Sequence, residues 1–284
     1  MVERDRREPV VNAMTVDVED YFQVSAMEHA VSREAWDRLP GRVERNTDRI
    51  LHLFDTHGVT ATFFTLGWIA ERYPALIERI VAAGHELASH GSDHVRVCQQ
   101  DRATFQADVT RAKKILEDVG GVPVKGYRAA SFSIGPATPW AFEVLAETGH
   151  SYSSTTYPIR HDLYGDPGGA RWPHHPVTGS TFREIPVATV RCGRHNFPCG
   201  GGGYFRLLPL AYGMRTIAAL NGRTGRPAVF YFHPWEIDAD QPRVDGLPWR
   251  ARLRHYTNLA RMESKLAALL ARHRWARLDQ VYEL

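Results

Sequence analysis

Cysteine, lysine and long apolar runs are all scarce in this chain. Its 284 residues include three cysteines, Cys98, Cys192 and Cys199. An odd, sparse set argues against a disulfide framework and for free thiols in a reducing compartment. No CxxC pair accompanies them, so a thiolate metal site is not expected. There are four lysines, the arginines are scattered among acids, and the net charge is +3. That distribution lacks the basic tract that follows a nucleic-acid backbone. No apolar stretch approaches the roughly 20 residues that span a bilayer, so no transmembrane segment is expected. The first residues, Met1-Val2-Glu3-Arg4-Asp5-Arg6-Arg7-Glu8, are followed by no apolar core. This predicts no secretory signal there and, with the free thiols, a cytoplasmic protein. Repeats, low-complexity tracts and a clean linker are missing too, and one domain over residues 1–284 is the simplest account.

What is present suits a large core, since 43% of the residues are hydrophobic. Strand and helix patterns alternate through the first half. Residues 10–18, 59–66, 85–89 and 124–132 read as strands. Residues 43–57, 74–83, 101–119 and 138–148 read as helices, with stops at Gly58, Gly84 and Gly120-Gly121. That alternation predicts a parallel sheet or barrel. From 158 to 209 the pattern breaks into Pro, Gly and His, with one strand expected over 182–190. The run Gly200-Gly201-Gly202-Gly203 has no following Lys-Ser or Lys-Thr, so a mobile loop near the cleft fits it better than a phosphate cradle. Beyond it, a helix is expected over 207–221, a strand over 228–232, a long helix over 249–272 and a closing strand over 277–284.

The candidate chemistry gathers at strand ends. Asp17, Glu19 and Asp20 close the first strand, and His90 and His94 follow the third. Arg128 lies on the next strand, and His233 ends a late one. In parallel α/β barrels that rim is where sites are built. Two histidines four apart can reach one metal ion, and with one carboxylate they leave coordination positions open, as a catalytic metal needs. A metal polarises a carbonyl and activates water. A second carboxylate can take the water's proton, and an arginine beside it would hold it ionised and oriented. A separate histidine can protonate a leaving amine. Together these residue types spell metal-assisted amide hydrolysis. Asp93 either supports a ligand histidine or faces water.

The same residues resemble the motifs of the NodB-homology polysaccharide deacetylases, the family-four carbohydrate esterases. They are Thr15-Val16-Asp17-Val18-Glu19-Asp20, Ser89-His90-Gly91-Ser92-Asp93-His94, Tyr127-Arg128-Ala129-Ala130-Ser131-Phe132-Ser133 and Phe230-Tyr231-Phe232-His233. Wider text resembles the branch from exosortase/PEP-CTERM exopolysaccharide loci. It comprises Asp17-Val18-Glu19-Asp20-Tyr21-Phe22, Gly202-Gly203-Tyr204-Phe205-Arg206, His233-Pro234-Trp235-Glu236 and Arg254-His255-Tyr256-Thr257-Asn258-Leu259.

The resemblance implies a distorted (β/α) barrel of about seven parallel strands, with a family-specific C-terminal extension from about residue 235. It implies a divalent metal, zinc first with cobalt, nickel or manganese as substitutes, and removal of N-acetyl groups from an amino sugar. It makes Asp17 the base, Arg128 its partner, His90 and His94 metal ligands and His233 the acid. The metal carboxylate is Glu19 or Asp20, and Asp20 is favoured because it lies just past the strand end. Where the branch reads Tyr-Asp-Ser-Ser, this chain reads Tyr152-Ser153-Ser154-Thr155. A supporting carboxylate is therefore missing at Ser153. Tyr204, Phe205 and Trp235 are candidates to stack on sugar rings. The expected activity is deacetylation of an N-acetylated oligo- or polysaccharide, an exopolysaccharide or its precursor, in association with a synthesis complex. The alternatives are a ring amidase of the allantoinase kind and a sugar-binding module without catalysis.

Overall fold

The structure, a computed structural model, describes residues 9–162 and 164–284. The N-terminal stretch read above for a signal lies outside that range. The first half runs β1 (Val11–Val18), α1 (Val43–His57), β2 (Thr62–Thr65), α2 (Gly67–Arg72), α3 (Pro74–Ala82), β3 (Glu86–Ser89) and α4 (Arg102–Gly120). Next come β4 (Gly126–Tyr127), α5 (Trp140–Glu147), β5 (Tyr152–Ser153), β6 (Arg183–Glu184), β7 (Thr189–Cys192) and β8 (His195–Pro198). The rest is α6 (Gly202–Leu207), α7 (Leu210–Thr224), β9 (Val229–Phe232), α8 (Trp249–Tyr256), α9 (Leu259–Arg272), β10 (Arg274–Ala276) and α10 (Leu278–Tyr282).

β1 is the hub. It pairs in parallel with β10 through Val11–Ala13, with β2 through Thr15–Val18 and with β9 through Ala13–Val16. From β2 the parallel order continues through β3, β4 and β5 to β6. After β6 the chain crosses back. Ile185 N bonds Ser153 O, Val187 N bonds Thr156 O, and Ala188 N bonds Val229 O, which brings the last strand towards β9. The result is the expected distorted barrel in one domain. Because helices cover it, β1 is buried from Asn12 to Val18, and its sequence shows no clean alternation. The helix punctuation is physical: Gly58 and Gly121 adopt φ +60° and +64° at the ends of α1 and α4, and the Asp101 carboxylate caps Thr104 N at 2.8 Å.

Four expectations about elements change. The strand over 124–132 shortens to Gly126–Tyr127, because the chain turns at Ala130–Phe132, where Ser131 takes φ +51°. The strand over 182–190 divides into β6 and the outlying hairpin strand β7, since residues 185–188 leave β5 to meet β9. The helix over 249–272 breaks at Thr257 and Asn258; Asn258 adopts φ +60°, a conformation asparagine tolerates. The closing strand sits earlier, at Arg274–Ala276, where Trp275 is buried, and 278–282 is helical. The glycine run is not a mobile loop. Gly200 and Gly201 lie against β9, where Tyr231 N bonds Gly200 O at 2.7 Å, and Gly202 opens α6. All three cysteines are free thiols, Cys199 buried and the others exposed. No helix among the described residues is long and apolar enough to cross a membrane.

His150 follows α5 and is 4% exposed against the Tyr127 ring. Burial, aided by the Lys113 ammonium, holds it down at about 3. An unfolded histidine titrates near 6.5. Between those values the unfolded chain binds the extra proton, so this group's stabilising contribution is whole above about pH 6.5 and is lost as pH falls towards 3. A His150→Gln variant is expected to flatten the acid limb of stability against pH by one proton near pH 5, about 1.4 kcal/mol per pH unit. Urea denaturation midpoints across pH 4–7 measure it; an unchanged slope would contradict a buried neutral His150.

Candidate active site

The candidate acid, base, arginine and metal-ligating groups lie at the C-terminal rim of the parallel strands. Asp17 and Glu19 are two apart at the end of β1 and share one face. After β3 the backbone carries His90 and His94 in an irregular loop rather than a helix, with Gly91 at φ +78° and His94 at φ +54°. The positive φ at His94 is a strained state for a residue with a Cβ. It turns the second imidazole back towards the first, their ring centroids lying 5.2 Å apart.

Glu19, His90 and His94 each offer a ligand atom within 4.8 Å of the others. His94 Nε2 lies 3.3 Å and His90 Nε2 4.0 Å from the Glu19 carboxylate. His90 Nδ1 lies 2.8 Å from the Arg128 carbonyl. A carbonyl only accepts, so Nδ1 carries the proton and Nε2 presents a lone pair to the cluster. Burial holds His94 down at about 4, neutral and able to ligate, against the pull of Glu19. Burial alone would raise Glu19, but the His94, His233 and His90 rings outweigh it and bring it to about 2. Its Oε2 is buried with no hydrogen-bond partner among the described residues. An ionised carboxylate with an orphan oxygen, facing two imidazoles, is a donor set that fits a zinc-like divalent ion.

Asp20 is not part of this cluster, which corrects the preference for it. Its carboxylate accepts from Tyr21 N at 2.9 Å, Arg42 N at 2.6 Å and Val43 N at 2.9 Å. It thus caps the start of α1, whose first amides have no partner within the helix. Burial raises it to about 6 despite those amides. Asp93 is likewise taken up elsewhere, accepting from Arg33 at 2.8 Å.

Arg128 is fully buried and holds Asp17. Its Nη1 donates to Asp17 Oδ1 at 2.6 Å and to Thr15 Oγ1 at 2.7 Å. Its Nε and Nη2 donate to the Ser154 carbonyl and hydroxyl, each at 2.8 Å, and its guanidinium lies 4.1 Å from the Phe64 ring centroid. This leaves Asp17 Oδ2 unclaimed by Arg128, 3.9 Å from His233 Nε2. The same His233 nitrogen is 3.1 Å from Glu19 Oε1. Burial would lower His233, but the Glu19 and Glu236 carboxylates prevail and push it up to about 10, so it carries a proton at neutral pH.

Several residues at the site had no assigned role in the sequence. Thr15, Ser154 and Glu236 all touch a candidate group, and Arg206 touches Glu236. Glu236 stands three after His233, the one local signal available. The carboxylate missing at Ser153 has a counterpart: Glu184 accepts from the Ser153 hydroxyl and from the Thr155 and Thr156 amides. It braces the segment that carries Ser154, and hence Arg128.

Two of the three sugar-stacking candidates are enclosed. Phe205 is 4% exposed and packs on Phe230, with centroids 5.3 Å apart. Trp235 is 7% exposed and lies stacked between His233 and His255. Neither leaves a face for a sugar. Tyr204 is half-buried beside a cluster of Phe132, Tyr157 and Tyr231.

Residues 35–153 match the polysaccharide deacetylase family, and residues 153–283 match a domain of unknown function, DUF3473. The first match contains His90, His94 and Arg128; the second contains His233, Glu236 and Arg206. A peptidoglycan-N-acetylglucosamine deacetylase of Bacillus cereus is 30% identical over 82 residues, 29% of this chain and 30% of its own length. A chitooligosaccharide deacetylase of Bradyrhizobium is 30% identical over 100 residues, 35% of this chain and 43% of its own length. The chain thus spans less than half of either relative. A Mycobacterium smegmatis crystal structure described as a polysaccharide deacetylase superposes with a TM-score of 0.64. It is 24% identical, with 99% of this chain and 92% of that one covered, a likeness of fold.

Proposed function

We propose that the chain is a metal-dependent N-deacetylase of N-acetylated oligo- or polysaccharides, a reading supported by the match of residues 35–153 to the polysaccharide deacetylase family. The observation that carries this reading is convergence. One imidazole nitrogen, His233 Nε2, lies 3.1 Å from Glu19 and 3.9 Å from Asp17, so acid, base and ligand cluster bound one small volume. Glu19, His90 and His94 would hold the ion, which supplies polarisation of the acetyl carbonyl and activation of water.

The chain's own residues do the rest. Arg128 fixes Asp17 Oδ1, so Oδ2 takes the proton from the attacking water. His233 delivers its Nε2 proton to the sugar nitrogen as the C–N bond breaks. One C–O bond forms, one C–N bond breaks, and acetate and a free amino sugar leave. A binding module needs neither the base nor the acid. The likeness of residues 17–22, 202–206, 233–236 and 254–259 to the exosortase-locus branch supports an exopolysaccharide or its precursor as substrate. It also supports work beside a synthesis complex, and the three free thiols fit a cytoplasmic setting. Zinc is the first candidate ion.

Substrate class is tested by measuring free amine after incubation with N-acetylglucosamine oligomers, with allantoin in parallel. Amine from the oligomers and no ring opening of allantoin is the expected result. Ring opening without amine would replace this function by ring amide hydrolysis.

A further inference from the structure

We propose that the segment matching the domain of unknown function serves the reaction by holding the general acid, with Glu236 and Arg206 as positioning residues for His233. This rests on the deacetylase reading above. Glu236 Oε2 accepts from the His233 backbone N at 3.2 Å and lies 3.4 Å from its ring Nδ1. The carboxylate thereby fixes the ring's rotation and keeps Nδ1–H on the far side from the cleft, with Nε2 aimed at Asp17 and Glu19.

Glu236 is held in turn. Arg206 Nε donates to Glu236 Oε1 at 3.3 Å, and both side chains are 1% exposed. The remaining Arg206 donors go to the Arg254 carbonyl at 2.7 Å and to the Thr257 carbonyl. Those carbonyls belong to the C-terminal end of α8, which is electronegative and lacks helical partners there. The break at Thr257 and Asn258 is what presents them. On the other side, Trp235 stacks on His233 with centroids 5.3 Å apart, His255 stacks on Trp235 at 4.2 Å, and Gln241 bonds His255 at 2.7 Å. Gly202 completes the fit: a Cβ there would lie 2.2 Å from Glu236 Oε2 and 2.6 Å from Phe232 Cβ. α6 can approach Glu236 this closely only as glycine.

A buried arginine–glutamate pair is a poor way to gain stability, because desolvating both charges offsets their attraction. Its placement makes sense for orientation. No carboxylate from β5 or β6 bonds His233, since Ser153 has none and the Glu184 oxygens are taken by Ser153, Thr155 and Thr156. The acid's carboxylate therefore comes from its own turn.

The test exploits the leaving group. An amine must be protonated to depart, whereas the nitrophenolate of p-nitrophenyl acetate departs without help. Glu236→Gln and Arg206→Met are expected to lower kcat on N-acetylglucosamine oligomers at least about tenfold, with KM within about twofold. On the aryl ester the same variants are expected to stay within about threefold of wild type. Equal losses on both substrates, or full amide activity in Glu236→Gln, would overturn the proposal. In wild-type protein, the His233 imidazole Nδ1–H should give a slowly exchanging, downfield proton resonance that Glu236→Gln shifts. Its absence in wild type would overturn the proposal whether or not the variants fold. If wild type makes no free amine from any sugar yet shows this proton, the deacetylase reading fails and the positioning stands.

Discussion

Glu19→Gln is expected to abolish tight zinc binding, while Asp20→Ala is expected to keep it and to lose stability. The two carboxylates are neighbours in sequence and do opposite work in space. Glu19 offers a ligand atom within 4.8 Å of those of His90 and His94 and has an oxygen with no hydrogen-bond partner among the described residues. Removing its charge removes one of three proposed ligands, and affinity is expected to fall at least about a hundredfold, beyond the 10–100-fold typical of losing a group behind a ligand. Asp20 spends its oxygens on Tyr21, Arg42 and Val43 amides. Its loss leaves the first turn of α1 uncapped in a buried place, at about 2 kcal/mol. Zinc competition against a chromophoric chelator, alongside urea unfolding, separates the two. Retention of tight zinc by Glu19→Gln, or its loss in Asp20→Ala, would reverse the assignment.

The second large effect is at Asp17. Asp17→Asn keeps the shape and removes the proposed proton acceptor, and kcat is expected to fall about a thousandfold. Stability should fall too. Arg128 is completely buried, and Asp17 is its one carboxylate partner among the described residues, the others being neutral: Thr15, Ser154 and the Phe64, Phe132 and Tyr231 rings. Neutralising one member of a buried pair leaves an uncompensated charge, at about 3 kcal/mol. Adding Arg128→Met to Asp17→Asn removes that charge, so part of the lost stability returns while activity does not. A double variant as unstable as Asp17→Asn alone would mean that Arg128 is compensated by its neutral neighbours and that its pairing with Asp17 is not what organises this part of the core.

Much of the site was legible because its residues sit at strand ends, and strand ends follow from apolar runs and their stops. Asp17, His90, His94, Arg128 and His233 lie on one rim for that reason. The choice between Glu19 and Asp20 was not legible, because it depends on the start of α1, more than twenty residues further along the chain. Local spacing cannot reveal that Arg42 and Val43 amides consume the Asp20 carboxylate. Trp235 and Phe205 were misread for a related cause. An aromatic next to a catalytic motif can face the cleft or the core, and only the packing of His255 and Phe230 against them decides. The long helix over 249–272 looked continuous because its apolar spacing is; the break at Asn258 serves the Arg206 contacts across the fold. Arg206 itself offers no sequence signal beyond its place in Gly202-Gly203-Tyr204-Phe205-Arg206, since its side-chain partners come from two distant stretches, Glu236 and the end of α8.

The measurement that bears most directly on the function is acetate release from N-acetylglucosamine oligomers by one preparation in three states: zinc-loaded, stripped by chelator, and stripped then reloaded. Acetate from the loaded and reloaded protein, little from the stripped protein and about a thousandfold less from zinc-loaded Asp17→Asn is the predicted outcome. Equal release from stripped and loaded protein, or full activity in Asp17→Asn, would contradict a metal-dependent deacetylase built on Glu19, His90, His94 and Asp17.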